Sequence, residues 1–252
     1  MRRTAAVAAA TLALLAPAAA AAGAPAPAPE RSGASALSAP TATRAWVGRV
    51  LVPVTARTRP RMSARRVTVL QPFTPLAGGP TNVLVTAVRT LRAPGERERR
   101  TWVRVRLPIR PNTSQGWIPA DALRFRATGL RILIDQSDRR LTLYSRGRVV
   151  LRTEVAIGEA ITPTPNGHFA VAELIRTRQP GAFLGPVVMP LTGYSETLNE
   201  YAGGNGRVAI HGTSLPSLLG TRASHGCIRV ANAKIVRIAR LVRPGTPVHI
   251  RP

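Results

Sequence analysis

One cysteine, Cys227, stands in 252 residues. A single thiol cannot close an internal disulfide, so it is packed filler, an intermolecular link or a reactive group. With one Cys and four His, the sequence also lacks the ligand spacing of a closed zinc site. Aromatic residues make up only 4% of the chain. A nucleic-acid platform needs stacking rings as well as charge, so nucleic acid is not the expected partner despite a net charge of +25. Carboxylates are scarce, 11 against 36 basic residues, and Lys234 is the only lysine. An arginine excess of this size attracts anionic polymers or surfaces, although much of it belongs on ordinary solvated faces.

Hydrophobic content of 44% is enough for packed cores, and the length suits two small domains. Residues 1–22 begin with Arg2 and Arg3 and continue as an Ala/Leu/Val run, broken by Pro17, to a small-residue end. That is the pattern of a secretory signal peptide, with a retained membrane anchor as the alternative, and it predicts a secreted protein of the cell envelope or cell wall. Residues 23–44 are rich in Ala, Pro and Ser and read as an extended, mobile linker.

Residues 45–127 change character. Val50, Val52 and Val54 alternate, as do Val103, Val105, Leu107 and Ile109, between Pro/Gly clusters. Period-two spacing predicts short half-buried strands. Trp102 and Trp117 flank the turn at 111–116 and are expected to pack together. Sixteen arginines face three carboxylates in 46–126, which favours a face that binds anionic polymer over an inert spacer.

At Gly129 the pattern restarts for the remainder, 129–252. Leu130, Ile132 and Ile134, then Leu141 and Leu143, then Val155 and Ile157 predict an antiparallel meander with turns at 138–140 and 146–147. Residues 162–169 form a turn-rich loop that feeds a strand, and 174–201 read as irregular, a candidate lid or binding loop. A strand is expected over 207–212, ending at His211. Asn232–Val242 is the predicted helix, with Asn232 as N-cap and Pro244–Gly245 as its stop. Val248 and Ile250 close the sheet.

Ser224, His225 and Gly226 precede Cys227 and make a poor setting for an apolar, packed cysteine. Cysteine attacks as the thiolate, which a neighbouring cation or base must supply at neutral pH. His225 lies two residues away and His211 sixteen. His211 is favoured as base because a strand holds it, and the Gly212 carbonyl can fix its tautomer. The N–H groups of Gly226 and Cys227 are candidate oxyanion donors, and Arg229 can grip a substrate carboxylate. His168 and His249 read as ordinary surface or loop residues.

Together, H-G-T at 211–213 and S-H-G-C-I-R at 224–229 resemble the signature of the L,D-transpeptidase catalytic domain, also called the YkuD domain. TPTPNGHF at 162–169 resembles that family's TPxGxF loop, and RILIDQSDRRLTLY its opening hairpin. The resemblance covers about Leu130–Arg251. Upstream, WVRVRLPIRPNTSQGWIPADAL resembles bacterial SH3-like domains. The implied architecture is mainly β: a small SH3-like β-barrel at 45–127, then a YkuD-type β-sandwich with one helix towards its C-terminal side.

The resemblance implies Cys227 as nucleophile, His211 as base and Gly212 as backbone orienter. It places Ser224, His225, Gly226 and Arg229 around the oxyanion and substrate. The implied reaction attacks a peptidoglycan stem peptide, releases D-Ala, forms a thioester and passes the acyl group to an amine of a second stem in a 3→3 cross-link. No metal or organic cofactor is implied. The implied partners are donor and acceptor stem peptides, an anionic wall polymer for the front domain, and carbapenem β-lactams as acylating inhibitors. Two alternatives stand beside it: an L,D-carboxypeptidase or exchange enzyme on the same site, and a catalytically silent wall-binding protein.

Overall fold

The computed structural model describes residues 37–92, 99–200 and 203–252. The signal-peptide reading of 1–22 and most of the linker reading of 23–44 lie outside these residues. The last part of that linker is not a free tether: Leu37 is buried against Trp46, Val50 and their neighbours.

The first sheet is antiparallel. It holds β1 (Ala45–Val50), β2 (Val54–Arg57), β3 (Arg66–Leu70), β4 (Asn82–Arg92), β5 (Arg99–Arg106), β6 (Gln115–Pro119) and β7 (Leu123–Thr128). The order across it is β3-β2-β6-β5-β4-β1-β7. β5 illustrates how alternation becomes a core. Val103 and Val105 are fully buried with Val85 and Ile118, each contributing roughly 1.5–3 kcal/mol. The expected tryptophan pair does not form. Trp102 stands opposite Pro119 and Trp117 opposite Arg104. The Arg104 and Arg89 guanidiniums lie 5.7 and 6.0 Å from the Trp117 ring, so cations take the place of the second indole.

The second sheet starts with the predicted meander, β8 (Leu130–Asp135), β9 (Arg140–Ser145) and β10 (Arg148–Gly158). Arg139, Arg146 and Gly147 take the positive φ that tight hairpin turns require. β11 (Gly167–Ala170), β12 (Ile175–Arg176), β13 (Val187–Tyr194), β14 (Arg207–His211), β15 (Arg222–Ser224), β16 (Ile228–Val230), helix α1 (Asn232–Leu241) and β17 (Pro247–Arg251) follow. The order is β11-β17-β8-β9-β10-β16-β14-β13-β12, with β15 pairing β10. β17 does not close an edge; it lies between β11 and β8. α1 buries Ile235, Ile238 and Ala239 in the same core as Ile132, Leu143, Ile210 and Ile228.

The irregular reading of 174–201 is corrected by β13, whose residues are almost all buried. Pro190 and Gly193 masked it, and a strand buried on both faces has no alternation to read. Among the described residues, the stretch between β12 and β13, 177–186, and the stretch after β13, 195–200, stay irregular. Among the described residues the fold is mainly β with one α-helix, and no helix is long and apolar enough to cross a membrane.

Candidate active site

Cys227 sits on a short turn between β15 and β16. Gly226 makes that turn with φ 107°, a left-handed conformation that side chains with a Cβ rarely adopt. Ser224, 1% exposed, staples the turn: its Oγ donates to the Cys227 carbonyl at 2.6 Å and accepts from the Gly226 N–H at 3.2 Å. The loop after β10 supports it from the other side. Thr164 Oγ1 donates to the Gly226 carbonyl at 3.0 Å and accepts from Gly158 N–H at 2.8 Å. Thr162 Oγ1 reaches the Ser224 carbonyl at 3.4 Å, and Gln136 Nε2 holds the Thr164 carbonyl at 3.2 Å. The TPTPNGHF motif is therefore a cradle for the cysteine turn.

β14 and β16 are parallel neighbours, with Ile210 opposite Ile228 and His211 opposite Arg229. One step back along this register puts Cys227 beside Ala209, whose backbone bonds the thiol. Side chains alternate along strands, so Cys227, Arg229 and His211 fall on one face. The imidazole and the thiol therefore open on the same face of the β14–β16 pair. Cys227 is half-buried and is not sealed in hydrocarbon.

His211 is 1% exposed, and its Nδ1 lies 2.6 Å from the Gly212 carbonyl. Nδ1 carries the proton of the neutral ring in that geometry, which leaves the Nε2 lone pair as the base. Burial pushes the imidazole down to about 4; the Gly212 and Leu184 carbonyls oppose this, and the Arg229 charge reinforces it. Burial pushes the Cys227 thiol up, while the Ala209 backbone and Arg229 favour the thiolate. Both shifts favour a thiol beside a neutral imidazole at neutral pH. The histidine acts by taking the proton as the sulfur attacks.

Arg229 is 5% exposed, its Nε has no hydrogen-bond acceptor, and no carboxylate among the described residues pairs with it. Its guanidinium rests 4.7 Å from the Phe183 ring, which also stands 6.1 Å from the His211 ring. The irregular stretch 177–186 thus covers the site with Phe183, and Leu184 brings its carbonyl to the imidazole.

Asn232 does not cap α1; the cap position is Ala231, without a side-chain bond. Its Oδ1 instead accepts from the Thr213 N–H at 2.8 Å. A Cβ on Gly212 would lie 2.3 Å from that oxygen and 2.9 Å from Gly185 Cα, so the backbone beside His211 is locked between Asn232 and Gly185.

His211, Gly212, Ser224, Gly226, Cys227 and Arg229 are brought together. His225 is not: its side chain is 45% exposed, with Nε2 3.8 Å from Glu159 Oε1. Gly226 N–H is engaged by Ser224, so Cys227 N–H is the better placed oxyanion donor. Sequence reasoning missed Phe183 and Leu184, which no motif marks. It also gave Asn232 the wrong role and did not assign Thr164 its bond to the cysteine turn. Among the described residues, no three His, Cys, Asp or Glu side chains gather closely enough to hold a metal ion.

Comparison with known proteins finds a likeness over the residues that hold this site. Residues 129–250 match the YkuD family, the L,D-transpeptidase catalytic domain. The matched residues include every site residue named above. Over 122 residues the chain is 35% identical to the YkuD protein of Bacillus licheniformis, covering 48% of this chain and 66% of that protein. It is 34% identical over 110 residues to the YkuD protein of Bacillus subtilis, covering 44% and 58%. The chain thus spans less than two thirds of either relative. A crystal structure of Enterococcus faecium L,D-transpeptidase aligns at 25% identity over 48% of this chain and 49% of that one, with a TM-score of 0.38.

Proposed function

We propose that the protein is a peptidoglycan L,D-transpeptidase that forms 3→3 cross-links through a Cys227 thioester. The observation that carries this is the arrangement on β14 and β16: a half-buried thiol, a neutral imidazole tied to the Gly212 carbonyl, and a buried guanidinium without a carboxylate, all on one face.

In the proposed first step His211 Nε2 takes the thiol proton as Sγ bonds the carbonyl carbon before the terminal D-Ala. Cys227 N–H holds the oxyanion. The imidazolium formed is held by the Gly212 and Leu184 carbonyls. It returns the proton to the departing D-Ala nitrogen as the C–N bond breaks, leaving the thioester. An amine of a second stem then attacks the thioester carbon, gives a proton to His211, and Cys227 leaves as the thiol. Arg229 pairs with a carboxylate of the peptide, which meets the need of its unpaired guanidinium. The site's own groups supply every proton movement without a cofactor.

The composition of 1–22 favours export to the cell envelope, and the arginine-rich first sheet, read as SH3-like, favours a role in holding wall polymer. The same sulfur chemistry predicts acylation by carbapenems. The test is intact-mass spectrometry of the full chain with a carbapenem and with a tetrapeptide muropeptide, followed by product analysis. A stoichiometric adduct and a 3→3 dimer are expected, with a loss of at least about 10³-fold in Cys227→Ala. Turnover retained in that variant removes the cysteine from the mechanism, and release of D-Ala without dimer makes the enzyme a carboxypeptidase.

A further inference from the structure

A cavity of about 450 Å³ lies between the two sheets, away from the cysteine site. Its lining shares no residue with His211, Cys227 or Arg229, and it contains no Asp or Glu. It does contain Arg106 from β5, Arg131 from β8, the imidazoles of His168 and His249, and Arg44 just before β1.

The two arginines from β5 and β8 are built in. Arg106 is 6% exposed; one of its terminal nitrogens bonds the Thr113 carbonyl, and its Nε has no acceptor. Arg131 lies 3.7 Å from the Tyr144 ring, and its Nε is also buried without an acceptor. Each such orphan donor carries a desolvation cost that nothing in the protein offsets. His168 and His249 face each other across β11 and β17, their rings stacked 4.2 Å apart. Burial, then His168, Arg251 and Arg131, push His249 down, while Arg251 itself is neutralised by Asp135 at 2.6 Å. Burial and Arg104 push Arg106 down to about 10. Like charges from two different sheets are thus held around one space with no anion of the protein's own.

We propose that this cavity is a binding site for a phosphate-bearing ligand. A phosphate presents several oxygens in different directions, so it can take a guanidinium fork from each sheet at once. A planar, singly charged carboxylate would satisfy one of them. Leu84, Ile132, Phe169 and Val248 also line it and suit an uncharged carbon segment next to the phosphate. The ligand chemistry is common to free phosphate and to the phosphodiesters of an anionic wall polymer. Because both sheets contribute cations, binding also fastens the first sheet to the YkuD domain.

The test is titration calorimetry on the full chain at low ionic strength, with inorganic phosphate and with a short glycerol phosphate oligomer. Saturable binding is expected for at least one, weakened tenfold or more in Arg106→Gln and in His249→Gln. It should be unchanged in Arg148→Gln, whose side chain lies on an exposed hairpin, and in Cys227→Ala. If Arg106→Gln fails to fold, Arg131→Gln gives the same reading. Tighter binding of the oligomer identifies a polymer, and equal or weaker binding identifies free phosphate. No binding by either ligand overturns the proposal, as does equal weakening in Arg148→Gln, which would mean diffuse charge. Loss of binding in Cys227→Ala would place the phosphate at the catalytic centre and overturn it too. None of these readings requires turnover, so the site stands or falls independently of the transpeptidase reading.

Discussion

His211 is where the chemistry and the stability of this protein meet. Its imidazole is buried and neutral, held down to about 4 against an ordinary value near 6.5. Above the ordinary value neither state binds the proton, and the folded form is at no disadvantage. As pH falls from about 6.5 towards 4 the unfolded chain takes up a proton that the folded chain refuses, and stability declines. Below about 4 the decline from this group stops. The shift corresponds to a loss of about 3 kcal/mol, measurable by denaturant unfolding at stepped pH. His211→Gln should remove that part of the slope; His249, also held down, contributes in the same direction and is left in the variant. The thiol gives a second reading of the same field. Because burial raises it and Arg229 opposes that, alkylation by iodoacetamide should be slow at pH 7 and accelerate only above the ordinary thiol range. Arg229→Gln should move that profile to still higher pH. A profile that moves down would show that the guanidinium does not face the sulfur.

At the level of elements, α1 serves the site through its first residue. The Asn232 side chain reaches back to the N–H of Thr213, a residue that is 2% exposed. Asn232→Ala strands that donor and should cost roughly 1–3 kcal/mol. It should also lower kcat with little change in KM, because the Gly212 carbonyl that orients His211 loses its support. Asn232→Asp keeps the acceptor and should restore most of the rate, whereas His225→Gln should change it little. Much at this scale was legible from the residues: the meander, the strand ending at His211, the helix and the Cys227 turn all follow from spacing and turn chemistry. β13 was not legible, because its residues are buried on both faces and carry Pro190 and Gly193. The cover from Phe183 was not legible either. Its place over His211 and Arg229 comes from a tertiary approach of the stretch between β12 and β13, and no local pattern encodes it. Asn232 shows a subtler limit: a residue type that favours a cap was used for a bond nineteen positions away in sequence.

At the scale of the molecule, the question is whether the two sheets unfold together. The turn after β5 grips the second sheet: Arg110 donates to the Ser195 and Leu198 carbonyls at 2.6 and 3.0 Å, and Asn112 bonds both the N–H and the carbonyl of Tyr194 at 2.8 Å. Tyr194 returns a bond to the Pro108 carbonyl at 2.7 Å. On another side Glu173, 2% exposed, accepts from the N–H groups of Leu76 and Ala77 at 3.2 and 2.7 Å and from Arg207 at 3.5 Å. One buried carboxylate thus ties a loop of the first sheet to β14, the strand that carries His211. Removing it takes the acceptor from two amides and leaves Arg207 only its bond to the Leu191 carbonyl, and breaking a buried pair in this way costs roughly 3–5 kcal/mol. Glu173→Ala should therefore lower stability by about that much and split a single calorimetric unfolding transition into two. Arg207→Gln removes one ligand of the carboxylate and leaves both amides served, so it should destabilise less and keep one transition. If Glu173→Ala still unfolds in one step with its midpoint unchanged, the carboxylate is not a tie, and the coupling between sheets resides in contacts such as the Arg110–Asn112 turn and the Arg126 bond to the Pro244 carbonyl.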